Sequence, residues 1–148
     1  KIKNYSTTNK NINFEIIQKL TNLAENFDVN ELAENFLSKN KKNISKILNE
    51  NNYTNEDCIL VIRSILSKSK RLLKILEKYE KNKNLDSIIS TIRPPIFWKE
   101  KDSVKRQANS WKLIDLKEKI YEINDLEMLI KNNAGNSLNI LSDFIINC

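Results

Sequence analysis

Histidine is absent from this chain of 148 residues, and glycine occurs once, at Gly135. Those two absences exclude more than most motifs include. A Walker-type phosphate loop or a dinucleotide fingerprint needs several glycines, so neither is present. Ser-His-Asp and Cys-His sites cannot be assembled without histidine. Cys58 and Cys148 are the only thiols, and no histidine completes a zinc set with them. Catalysis by the common routes, a metal and a cofactor are therefore not expected. Two isolated cysteines make no disulfide framework, which fits a reducing, cytoplasmic location. No run of about 18 apolar residues exists, so no membrane partner is expected. The start, Lys1-Ile2-Lys3-Asn4-Tyr5, lacks an initiator methionine and an apolar signal core, and reads as the edge of a piece of a longer chain.

What is present is helical patterning. Apolar residues make up 40 % of the chain, mostly Ile and Leu, and they recur too regularly for disorder. The length suits one domain, or one domain with a remnant of a neighbour. Residues 1–12 are polar and aperiodic. From Asn13, Ile16, Ile17, Leu20, Leu23, Ala24 and Phe27 fall at helical spacing. Asp28 opens a second helix with Glu31 in a capping-box relation, and its stripe is Val29, Leu32, Ala33, Phe36 and Leu37. A short helix carries Ile44, Ile47 and Leu48. The longest begins near Thr54 as cap and follows Cys58, Ile62, Ile65, Ser69, Leu72, Leu76 and Tyr79 for about seven turns. Cys58 on that stripe reads as a buried small hydrophobe. A brief helix over 85–92 stops at Pro94. Val104, Ala108 and Trp111 share one face of the next helix. Leu113, Leu116, Ile120, Ile123, Leu126 and Ile130 mark a long one, with Gly135 as its C-terminal signal. Ser137 is the expected cap of a last helix through Leu138, Leu141, Phe144, Ile145 and Cys148. No period-2 strand appears; the expected fold is an all-α bundle of seven to eight helices.

The two prolines are adjacent, in Ile92-Arg93-Pro94-Pro95-Ile96-Phe97-Trp98-Lys99-Glu100-Lys101-Asp102. They remove two backbone donors and bias their predecessors away from helix, so this joint is extended, with Phe97 and Trp98 just past the break. The net charge of +6 is concentrated. Residues 63–83 hold eight Lys and Arg against Glu77 and Glu80; residues 93–112 hold six against Glu100 and Asp102. Arg63, Lys70, Arg71, Lys74, Lys78 and Lys81 avoid the apolar stripe and are expected to face water or a partner. Such a run suits a solvated face or a phosphate backbone. Trp98 among lysines fits a stacked base, though a core or subunit-interface anchor is the favoured reading. Trp111, in line with Val104 and Ala108, reads as core. Glu127 and Lys131 form an i,i+4 pair.

The Arg93-Pro94-Pro95-Ile96-Phe97-Trp98-Lys99 segment lies between a long helix with a central Arg63 and a helix closed by Trp111. A further long helix then ends Glu127-Met128-Leu129-Ile130-Lys131. Over residues 28–148 this order resembles the C-terminal domain of the bacterial DNA polymerase III delta subunit, a clamp-loader component. Residues 1–27 resemble the tail of the preceding lid-like domain. The sequence departs from the family pattern at Asn132-Asn133-Ala134-Gly135, where any aromatic that a relative uses is missing, and in its Phe97-Trp98 pair, similar to but not identical with the usual aromatics. The resemblance implies a collar-like oligomerisation domain that packs beside the gamma/tau and delta-prime subunits through helices 54–80 and 113–131. It implies no ATP hydrolysis, and contact with the sliding clamp only through an N-terminal domain absent here. Primer–template DNA would lie beneath the collar, with Trp98, Lys99 and Lys101 on its rim.

Two other readings stay open: a stand-alone basic helical nucleic-acid-binding module, and a helical adaptor whose basic face meets an acidic partner. The collar expectation is a folded, helical, catalytically silent chain. ATPase or polymerase activity in the purified chain would count against it.

Overall fold

The pattern of apolar residues predicts helices throughout, and a computed structural model describing residues 16, 17 and 28–147 bears this out. Among the described residues there are helices and no strands, so the fold is an all-α bundle. In order these are α1 (28–37), α2 (Lys41–Glu50), α3 (Asn55–Lys81), α4 (Leu85–Thr91), α5 (Lys101–Ser110), α6 (Leu113–Asn132) and α7 (Ser137–Ile146). Short 3-10 turns at Trp98–Glu100 and Ala134–Asn136 precede α5 and α7. Ile16 and Ile17 are helical; the remainder of the helix expected over 13–27, the polar lead-in 1–12 and Cys148 lie outside the described residues.

Local chemistry sets the helix ends. Thr54 and Asp57 form a reciprocal capping box at α3, with Thr54 N–H donating to Asp57 Oδ2 at 2.8 Å and Asp57 N–H to Thr54 Oγ1 at 3.2 Å. Asn40 and Asn84 cap α2 and α4. At the end of α1 the Asn40 N–H reaches back to the Asn35 carbonyl and the Lys39 N–H to that of Phe36. This is the Schellman arrangement, with Lys39 at φ 56° where glycine is usual. Two expectations fail in the α6–α7 corner. Gly135 has no positive φ and sits in the turn beyond Asn133, so it does not end α6. Ser137 is the first residue of α7 and not its cap; its hydroxyl donates to the Ala134 carbonyl at 2.9 Å and meets Asn55 Oδ1.

α3 is the axis of the bundle, and α6 packs along it over the longest interface. The main core gathers the α1 and α2 stripes, most of the α3 stripe, the α6 stripe from Leu116 to Ile130, and Leu141 and Ile145 of α7. Val61 also joins this core on α3, a position the threes-and-fours spacing skips. A smaller core holds Ile75 of α3, Ile88 and Ile89 of α4, Ile92, Ile96 and Val104 of α5. Ile92 and Ile96 straddle the two prolines. They anchor both feet of the Pro-Pro arch and leave Arg93, Pro94 and Pro95 outside.

Trp111 joins the layers. It is buried, as the sequence predicts, and its indole N–H donates at 2.8 Å to the Leu37 carbonyl, one of the last acceptors of α1 that has no helical partner. Its ring lies 6.4 Å from Phe36, which stacks at 6.0 Å on Phe144 of α7. The Lys39 ammonium covers the other side at 4.3 Å and donates to the Ser110 carbonyl at 3.1 Å. Trp111→Ala is expected to destabilise the fold by about 3–5 kcal/mol. Trp111→Phe, which keeps most of the ring and strands the Leu37 carbonyl, costs about 1–3 kcal/mol. Urea unfolding midpoints at constant slope measure both.

Candidate functional site

The Pro-Pro arch fixes an adjacent pair of exposed aromatics. With Ile96 turned inward, Phe97 and Trp98 face outward, and Trp98 is 68 % exposed. That rules out the core reading of Trp98. The two rings sit 5.9 Å apart, and the Lys99 ammonium lies 5.4 Å from the Trp98 ring centre. Lys101, half-buried, opens α5 directly behind them. The candidate rim residues Trp98, Lys99 and Lys101 are thus contiguous, and Arg93 is exposed on the far side of the arch.

The arch is tied to the bundle by a polar network that sequence reasoning missed. Glu34 of α1 accepts from Lys68 Nζ of α3 at 2.6 Å, and from Gln107 Nε2 at 2.7 Å and Ser103 Oγ at 3.2 Å on α5. Glu100, at the end of the arch, pairs with Arg71 at 3.3 Å and with Lys68 at 3.6 Å. Gln107 is only 1 % exposed. It shares the Val104–Trp111 face, and a glutamine on such a stripe was the one signal available. Arg71, expected to face water or a partner, is drawn down within the fold against Glu100, and its Nη2 is buried without a hydrogen-bond partner.

Three of the family-motif residues also meet. Glu127 of α6 accepts from Arg63 of α3 at 3.1 Å and from Lys131, one helical turn on, at 3.0 Å. Lys131 and then Arg63 hold the Glu127 carboxyl below its ordinary value. The cluster pins the start of α3 to the end of α6.

On the opposite side of α6 from its buried stripe, Ile114, Tyr121 and Met128 form an exposed ridge at seven-residue spacing, 65 %, 72 % and 65 % exposed. Leu129 flanks it. Seven-residue spacing keeps such residues in line along one side of a helix, as at a helix–helix seam.

Cys58 is fully buried, and burial followed by the nearby Asp57 pushes its thiol up to about 11, so it is inert at neutral pH. Tyr53 is pushed up to about 12 by burial and then by Asp28. No cluster of three or more His, Cys, Asp or Glu able to hold a metal occurs among the described residues. None of their helices is long and apolar enough to cross a membrane. Comparison with known protein families, curated proteins and solved structures finds no match for the chain.

Burial alone raises the Glu34 carboxyl, but Lys68, then Gln107 and Ser103, outweigh it and hold it below its ordinary value. A depressed folded pKa contributes stability above the unfolded value, lost as pH falls through the folded one. Glu34→Gln is expected to cost about 2–4 kcal/mol at neutral pH, because Lys68 keeps its charge without its closest anion. The gap to the parent chain should shrink on acidification below the ordinary carboxylate value of about 4.3. Urea titrations across that range check this; a gap constant with pH would contradict it.

Proposed function

We propose that this chain is a collar-like domain of a DNA polymerase III delta subunit, a non-catalytic cytoplasmic component of a clamp loader acting in DNA replication. The observation that carries the reading is the α6 ridge. Ile114, Tyr121 and Met128 expose large apolar side chains in line on one side of a long, well-anchored helix, with the polar Lys117, Glu118, Asn124 and Asp125 between them, and aligned exposed apolar side chains of this kind suit a surface used for association. The residue order from Arg63 through the Pro-Pro segment to Lys131 supports the family. The Arg63–Glu127–Lys131 cluster supports a rigid α3–α6 pair as the packing face toward the gamma/tau and delta-prime subunits. In this reading the sliding clamp is engaged by another domain of the parent protein. Trp98, Lys99 and Lys101 form the rim toward primer–template DNA, with weak affinity in the isolated chain.

Light scattering coupled to size exclusion, with the chain mixed with gamma/tau and delta-prime collar domains, tests the reading. The expected result is a stable mixed species. Tyr121→Asp with Met128→Asp should abolish it while leaving the helical circular dichroism intact, since both side chains are exposed. A chain that elutes alone well above micromolar concentration would refute the collar reading.

A further inference from the structure

Much of the charge of α3 has no counterpart in the fold. Lys70, Lys74, Lys78 and Lys81 lie on the face turned away from the core, spaced by four, four and three residues. Successive side chains therefore leave the helix about 4.5–6 Å apart along its axis. All four are exposed, and among the described residues none of them forms an ion pair. Lys68, Arg71 and Arg63, on the same helix, are all paired.

The surface carrying these lysines is concave. Two adjoining grooves run between α3 and residues 91–94, and both are lined by Lys74 and Arg93. Arg93 comes from the opposite wall, where the buried Ile92 and the Pro-Pro arch hold its backbone. Arg71 also lines one groove, although its guanidinium is held by Glu100. Glu77 is the one carboxylate lining the grooves, and it pairs outward with Lys117 of α6 at 3.8 Å. Cations converge here from two elements, with little to neutralise them.

We propose that this groove binds the phosphate backbone of a single nucleic-acid strand. Uncompensated like charges held together repel one another, and a polyanion relieves that repulsion while releasing its own counterions. One row of cations between a helix and a loop follows one line of phosphates. The groove ends at Pro94, and the exposed Phe97 and Trp98 follow on the same arch, as a positively charged groove beside aromatic platforms requires for a single strand. An acidic polypeptide would use the cations and leave the aromatics without a role. The inference does not depend on the collar reading, since groove and charges belong to the chain alone.

Fluorescence anisotropy with a labelled oligothymidylate of about 20 nucleotides tests it on the whole chain at about 50 and 200 mM salt. The parent chain should bind with a steep salt dependence. Lys70→Gln, Lys74→Gln and Lys78→Gln together should weaken binding at least about tenfold and lower the log–log salt slope by about 2, at 0.7 per lost contact. Lys41→Gln, Lys42→Gln and Lys46→Gln remove the same charge from exposed positions of α2 and should leave affinity within about twofold. Equal weakening by both triples would reduce the effect to net charge and overturn the site. Polyglutamate bound as tightly as the oligonucleotide would reassign it to an acidic polypeptide, and a duplex bound as tightly would overturn the single-strand assignment. Failure of the mixed collar species would leave these outcomes unaffected.

Discussion

The Glu34 carboxylate is the constraint on which the functional surface depends. It receives Lys68 from α3 and both Ser103 and Gln107 from α5, so three helices are fixed against one side chain. Its neighbour in the network, Glu100, draws Arg71 and Lys68 onto the arch. Breaking such a network by removing one member leaves the others charged or polar in a partly dry site, which is why its parts act as a unit. The arch cannot shift relative to α3 without disrupting it. The network thereby sorts the cations of α3 into two kinds, those consumed in fixing the arch and those left facing the groove.

A second division follows from the two prolines. An unbroken helix through residues 85–110 would carry Arg93, Trp98 and Val104 around one cylinder. The break instead lets Ile92 and Ile96 bury on either side of an exposed turn, each adding apolar area to a small core. That core seats α4 and α5 against the C-terminal end of α3, away from the main core around Trp111. One backbone interruption thus supplies both the wall of the groove and the exposed aromatic pair.

Much of this was legible in the sequence because helical periodicity reports burial directly. The stripes of α1 and α2 fall on buried positions, as do those of α4 and α6 apart from the half-buried Leu85 and Leu113 that open them, and Trp111 reads as core from Val104 and Ala108 alone. What was not legible involves choices that periodicity does not encode. Gly135 looked like a helix stop, yet the left-handed position went to Lys39, whose side chain is secured by Trp111 and the Ser110 carbonyl. Ser137 looked like a cap, but its hydroxyl serves the Ala134 carbonyl and meets Asn55 across the bundle. Trp98 by residue type suits a core, an interface or a base contact, and it is Ile96 that turns inward, which removes the core alternative alone. Arg71 and Lys68 sit on the polar side of α3, and only the fold brings Glu34 and Glu100, distant in sequence, to them. Pairings of that kind are set by tertiary geometry, so a single sequence names the charges without naming the partners.

The α6 ridge and the α3 groove are separate surfaces, and their separation has a physical basis. The two helices present different residues to solvent because each commits its inner stripe to the same core. Among the described residues that line the ridge or the groove, the one ion pair crossing between the helices is Glu77–Lys117, half-exposed on both sides and 3.8 Å long. A pair of that geometry contributes little, typically about 0–1 kcal/mol, and transmits correspondingly little. Charges removed from the groove should therefore leave association through the ridge intact, and acidic residues placed on the ridge should leave the groove intact. Sites without shared partners respond additively. A single bundle can on these grounds offer an apolar face to a protein neighbour and a cationic groove to a polyanion together, with neither surface requiring the other to be filled.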